Sequence, residues 1–191
     1  MNQEIEIEWK NLLTENEFSV LCSAFKVKPE DFWLQHNHYF DTENGMLKKA
    51  GSALRIREKQ QHRQLTLKQP HPQGLLETHQ EISAEDTARA IDHSLLPDGD
   101  VMNQLQNNGL RPHGLHYLGT LTTKRAEVQF RGGILVFDHS FYLNHEDYEL
   151  EYECTDVNGK QTFHELLKEY KIPVRATENK IKRFFDKKNA K

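Results

Sequence analysis

The chain lacks several devices that would point to familiar chemistry. Cysteine is nearly absent. Cys22 and Cys154 stand far apart, with no CxxC pair or Cys/His ligand spacing around either, which argues against structural zinc and fits a reducing cytoplasm. No GxxxxGK[ST] sequence occurs, so a P-loop is not the phosphate holder. No long apolar run occurs at the start: Met1 to Lys10 alternate charged and apolar residues, so neither a signal peptide nor a membrane span is expected, and no membrane partner. Basic residues are not in excess either. With 25 Lys and Arg against 29 Asp and Glu, the net charge of -4 disfavours a nucleic-acid binder that relies on a basic surface, but leaves room for a concentrated basic cavity. The eleven histidines are scattered without the spacing of a helical metal pair, and His36 and His38 beside Tyr39 read as edge-strand residues. No internal repeat, low-complexity stretch or linker divides the 191 residues, so residues 1–191 are expected to form one domain.

What is present is alternation. Hydrophobic residues make up 36% of the chain and charged residues 28%, so many polar positions must be accommodated after folding, some of them facing inward. Glu4 to Lys10 has the two-residue period of a strand, with Ile5, Ile7 and Trp9 on one face and ionised groups on the other. Thr14 and Glu17 form a capping box before Phe18, Leu21, Cys22 and Phe25, which recur at helical spacing until Pro29. Extended segments follow at 38–42, 54–57, 65–68 and 76–82. Two short helices are expected from Ser83 through Leu96 and over 101–106. Strand patterns resume at 118–126, 127–129, 134–138 and 148–154, with Gly132-Gly133 read as a hairpin turn. Helices around 163–170 and from Thr177 complete the pattern. About eight strands with few long loops predict an α+β domain on an antiparallel sheet, with closure into a barrel as the inferred architecture.

The charges on these strands are segregated by sign. Glu4, Glu6 and Glu8 share a face near the start, and Glu149, Glu151 and Glu153 share one near the end. Like charges about 6 to 7 Å apart repel by roughly 2 to 3 kcal/mol at an effective dielectric of about 20, so something positive should sit there. Oxygen ligands of this kind suit Mg²⁺ or Mn²⁺. One such strand is also what a sheet with a wet face produces. Against that reading, Lys10, Arg55, Arg57, Lys68 and Arg125 recur with the same period on other strands, whereas a solvent face mixes signs locally. A polyanion between metal and guanidinium groups fits this segregation, because Arg offers phosphate a planar fork and Lys a compact charge.

In that order the motifs resemble the CYTH family of triphosphate tunnel metalloenzymes, which includes thiamine triphosphatases, inorganic triphosphatases and class IV adenylyl cyclases. The resemblance rests on Glu6-Ile7-Glu8-Trp9-Lys10 as ExExK, Tyr39 to Thr42, Leu54-Arg55-Ile56-Arg57, Leu65 to Lys68, and Glu149-Leu150-Glu151 with Asp138 upstream. It implies a closed antiparallel eight-stranded tunnel with short helices packed outside. It further implies metal at Glu6, Glu8, Glu149 and Glu151, phosphate contacts from Lys10, Arg55, Arg57, Lys68, Arg125 and Lys180, and Asp138 orienting a water. Lys182 or Arg183 are alternatives to Lys180, and Glu81 is carried over only as a candidate. The implied activity is metal-dependent hydrolysis of the terminal phosphoryl group of a small-molecule triphosphate in the cytoplasm, with Glu6, Glu8, Asp138, Glu149 and Glu151 as the catalytic set. An adenylyl cyclase, a non-catalytic polyphosphate-binding module and a nucleic-acid 5′-triphosphatase are the other readings, the last disfavoured by the net charge.

Overall fold

The computed structural model describes residues 2–110, 114–155 and 158–189. Their Cα positions fall into two compact units, Met1–Glu6 with Gln35–Leu121, and Ile7–Leu34 with Thr122–Lys191.

The first unit is built on β1 (Asn2–Glu6), most of β3 (Trp33–Thr42), β4 (Ala53–Lys59), β5 (His62–His71), β6 (Gly74–Glu81) and the first part of β7 (Leu115–Phe130), in the order β1-β6-β5-β4-β3-β7. Its helices are the single turn α2 (Met46–Lys49), α3 (Ala84–His93) and α4 (Asp100–Asn107). Alternation decides what each strand buries. Leu54 and Ile56 of β4 and Leu65 and Leu67 of β5 join Phe40, Ala90, Val101, Met102 and Leu105 in one core, which leaves Arg55, Arg57, Thr66 and Lys68 on the opposite face. α3 starts where expected, because Ser83 and Asp86 close a capping box.

The second unit holds β2 (Glu8–Leu13), the rest of β7, β8 (Gly133–Tyr142) and β9 (His145–Glu153), in the order β7-β8-β9-β2, with α1 (Glu15–Ala24), α5 (Gly159–Glu169) and α6 (Lys180–Asn189). Thr14 and Glu17 cap α1 reciprocally. Phe18, Leu21, Phe137, Leu150, Tyr152, Phe163 and Leu166 make its core, so Arg125, Asp138, Glu149 and Glu151 face the other way.

The antiparallel α+β expectation holds, but the closed barrel of eight strands does not. Among the described residues there are nine strands in an open order whose ends are β1 and β2. The segment read as one strand over Glu4–Lys10 breaks at Ile7: β1 pairs with β6 and β2 pairs with β9. Other boundaries shift as well. The strands expected at 118–126 and 127–129 are one, β7. The hairpin turn before β8 is Arg131-Gly132, both at positive φ, while Gly133 already belongs to the strand. β3 is flanked by β4 and β7, so His36 and His38 are not on an edge. Among the described residues, no helix is long and apolar enough to cross a membrane.

Candidate functional site

In the second unit, strand register brings the charges together before any side chain is considered. Arg125 lies opposite Asp138, Asp138 opposite Glu149, Glu151 opposite Lys10, and Glu153 opposite Glu8. Asp138 and Glu149 are 0% exposed and Glu151 4%. Three carboxylates at that depth need cations, and four are supplied. The Arg125 fork donates to both Asp138 oxygens at 2.8 and 2.6 Å, and its Nη2 also reaches Glu151 Oε2 at 2.9 Å. Lys180 Nζ sits among Glu149 Oε1 (2.7 Å), Glu151 Oε1 (2.5 Å) and Asp138 Oδ2 (2.9 Å). Arg183 Nη2 lies 2.5 Å from Glu149 Oε2 without hydrogen-bond alignment, and its Nε donates to Asp147 Oδ2 at 3.0 Å. Lys10 pairs with Glu8.

Protonation follows from this arrangement. Burial, with Glu151 beside it, pushes the Glu149 carboxyl up to about 7, against the pull of Lys180. Glu151 is equally buried, but Lys180 and Arg125 outweigh that and hold it well below the usual carboxylate range. Burial opposes the Lys180 charge, yet Asp138, Glu149 and Glu151 raise it well above that of a free lysine.

Lys180 is the first residue of α6, and a hydrogen-bonded strap delivers it. The Asn11 side chain donates to Pro173 O at 3.1 Å and accepts from Arg175 N at 2.6 Å, while Leu12 N donates to Thr177 Oγ1 at 2.9 Å. The Arg175 guanidinium clasps both Glu17 oxygens at 2.8 and 2.9 Å. Of the alternatives to Lys180, Lys182 is surface-facing with Glu178 and Asp186, whereas Arg183 shares the cluster.

The first unit carries a second charged cluster. Lys68 and Glu77 are cross-strand partners and form an ion pair, and Lys68 Nζ also donates to Glu6 Oε2 at 2.5 Å. Arg55 is 9% exposed, with Nη2 at 3.9 Å from Glu77 Oε2. Arg57 is half-buried, and its Nε donates to Asn37 Oδ1 at 3.1 Å. Burial disfavours the Glu77 charge, but Lys68 and Arg55 outweigh it and hold the group down at about 2.

Sequence reasoning assigned no role to three residues in or beside these clusters. On β6 the buried acid is Glu77, not Glu81, which is exposed and meets His62 and Gln64. Glu77 was legible from period and register, since it faces Lys68 across an antiparallel pair. Glu153 follows Glu149 and Glu151 by the same period and has a carboxylate oxygen within 4.8 Å of one from Glu8. His79, two residues beyond Glu77 on the same face, carried no motif signal. The expected water-orienting role of Asp138 meets a plain geometric fact: both its oxygens are engaged by Arg125 and Lys180.

The chain is similar to proteins of known description. A curated protein of Bacillus subtilis (strain 168) named "Putative triphosphatase YjbK" is 46% identical over 189 residues, covering 98% of both chains. A solved structure from Bacillus halodurans, titled as a "putative adenylate cyclase", is 47% identical with a TM-score of 0.93, over 97% of this chain and 100% of that one. A Hippeastrum protein, HpAC1, titled as a "putative adenylyl cyclase" with a dominant triphosphatase activity, is 28% identical with a TM-score of 0.78, over 95% of this chain and 96% of that one. The model of the CYTH domain matches residues 4–185, and the chain belongs to the CYTH domain family.

Proposed function

We propose that the protein is a divalent-metal-dependent triphosphatase that removes the terminal phosphoryl group of a small-molecule triphosphate. The carrying observation is the buried set of Arg125 and Lys180 held against Asp138, Glu149 and Glu151, in a chain whose relatives carry triphosphatase names. The Arg125 guanidinium, held bidentately by Asp138, is pre-oriented for phosphate, so little ordering of that side chain is required when substrate arrives.

The donor set fits a hard cation. Carboxylate oxygens from Glu8, Glu149 and Glu151 suit Mg²⁺ or Mn²⁺ with room left for water and phosphate. Glu6, assigned to metal by the resemblance, is engaged by Lys68. When bound, such an ion neutralises phosphate charge and lowers the pKa of a coordinated water. Lys180 occupies the space among Glu149, Glu151 and Asp138, so a cation held by Glu149 and Glu151 would free its ammonium for phosphate. Arg125 keeps its bidentate partner Asp138 throughout, which makes Asp138 a positioning residue for that guanidinium. Lys10 and Arg125 bind phosphate oxygens and stabilise the departing diphosphate while water attacks in line.

The test is a phosphate-release panel with inorganic triphosphate, thiamine triphosphate and ATP, each with Mg²⁺ and Mn²⁺, read for cyclic AMP as well. Hydrolysis falling at least 100-fold in Glu8→Gln, with the fold retained by circular dichroism, is the expected result. Turnover unaffected by Glu8→Gln, or triphosphate binding with no turnover in the native protein, refutes it. Cyclic AMP as the main product from ATP transfers the assignment to the cyclase reading that two of the relatives' titles carry.

A further inference from the structure

A group of side chains at the start of β1 and the end of β6 is not used by the proposed reaction. Glu4 lies directly opposite Glu77 in the β1–β6 ladder, and His79 lies opposite Asn2 in the same register. Like charges facing each other across two strands are destabilising unless a cation separates them. Lys68 and Arg55 flank Glu77, and the His79 ring stands beside both Glu77 and Glu4. Its Nε2 is 3.0 Å from Glu4 Oε1 and 3.5 Å from Glu77 Oε2, and the three donor atoms lie within 4.8 Å of one another.

Thr66 Oγ1 lies 3.1 Å from His79 Nδ1 and holds that ring nitrogen in a hydrogen bond. In the tautomer with the proton on Nδ1, Nε2 presents a lone pair on the side of the two carboxylates. The separations suit a metal, because ligand bonds of about 2.0 to 2.2 Å at tetrahedral or octahedral angles place donors about 3 to 3.5 Å apart. The Thr66 contact is also the outer hydrogen bond that orients metal-binding histidines. Lys68 engages Glu77 through Oε1, leaving Oε2 for the ring side, with Arg55 at 3.9 Å from that oxygen. Glu4 is two-thirds exposed, so the position is open to entry from solvent.

We propose that Glu4, Glu77 and His79 form a second cation site, taking an imidazole-preferring transition metal of the Zn²⁺ class and discriminating against Mg²⁺. Imidazole nitrogen is a good ligand for Zn²⁺ and a poor one for Mg²⁺, which demands oxygen. The site does not depend on the triphosphatase reading, since it shares no residue with the carboxylates placed on the catalytic cation.

The experiment is histidine side-chain NMR of the full chain titrated with Zn²⁺ and separately with Mg²⁺, with isothermal calorimetry for stoichiometry. Zn²⁺ should shift the His79 Nε2 resonance at one equivalent while Mg²⁺ leaves it in place. His79→Gln and the exposed change Glu4→Gln should each weaken that Zn²⁺ event at least tenfold, whereas Glu8→Gln should leave it intact. An unmoved His79 resonance at saturating Zn²⁺ overturns the proposal, because a proton then fills the gap. So does a Zn²⁺ event that survives in both His79→Gln and Glu4→Gln. The two readings separate cleanly: loss of hydrolysis in Glu8→Gln with the His79 shift retained supports both, and hydrolysis without any His79 shift removes the second site alone.

Discussion

Two glutamates in this protein respond to burial in opposite ways, and the difference lies in their neighbours. Burial disfavours the Glu77 charge, but Lys68 and Arg55 beside it outweigh that, so it is held at about 2. Glu149 shares its cations with Glu151 and Asp138 and rises to about 7. The sign of the resulting pH dependence follows for each. A depressed carboxylate contributes stability that is present above about 4.5 and lost as pH falls towards 2. A raised one favours the folded state while protonated, and that contribution is lost as pH climbs from about 4.5 through 7. Glu149→Gln should therefore flatten the stability profile between pH 5 and 8, with the native protein losing on the order of 1 to 3 kcal/mol across that window relative to the variant. Urea unfolding midpoints at successive pH values measure this. Parallel profiles for the two proteins would mean that Glu149 is ionised throughout.

At the level of elements, much was readable because each strand's period and each helix's cap are local. The Arg55/Arg57 face of β4, the Lys68 face of β5 and the capping boxes at Thr14 and Ser83 all came from residues two to four apart, and the structure has them. What failed was what neighbours in sequence do not encode. The break at Ile7 has no turn residue to announce it; it arises because the two halves of that segment take different partners, β6 and β9. Glu77 was passed over for Glu81 because both share one parity, and only register against Lys68 separates them. The strap that sets α6 was invisible for the same reason, since Asn11 and Arg175 are joined only by tertiary hydrogen bonds. That strap carries its own prediction. Arg175→Ala removes the clasp on Glu17 and the hydrogen bond to Leu12 O, partly exposed contacts together worth about 1 kcal/mol. The effect on Lys180 should exceed the effect on stability. Amide exchange in α6 should speed up and KM for triphosphate should rise several-fold, with the melting temperature falling by only about 2–4 °C. A large fall in melting temperature with unaltered KM would make the strap structural only.

For the whole molecule, the question is how a chain of net charge -4 binds a polyanion. The answer proposed here is local: Lys10, Arg125, Lys180 and Arg183 are buried or half-buried against carboxylates, so their fields act at short range and are weakly screened. Two consequences separate this from attraction by a basic surface. First, affinity should grade with phosphate count, because each added phosphoryl group meets further fixed donors, whereas the group attached to the chain's end meets none that has been identified. Second, binding should lose little with salt compared with a surface-steered polyanion. Both can be read by thermal shift in the presence of Ca²⁺-free buffer and a cation that supports binding. A ligand at about 100 times its Kd adds roughly 2.7 kcal/mol, and a chain of this size moves about 2–4 °C per kcal/mol, so saturating inorganic triphosphate should raise the melting temperature by about 5–11 °C. Diphosphate at equal concentration should give less than half of that, and 0.3 M NaCl should leave the order unchanged. If monophosphate stabilises as well as triphosphate does, or if salt erases the shift, the basic groups are acting as a diffuse field and the fixed-donor account of recognition fails.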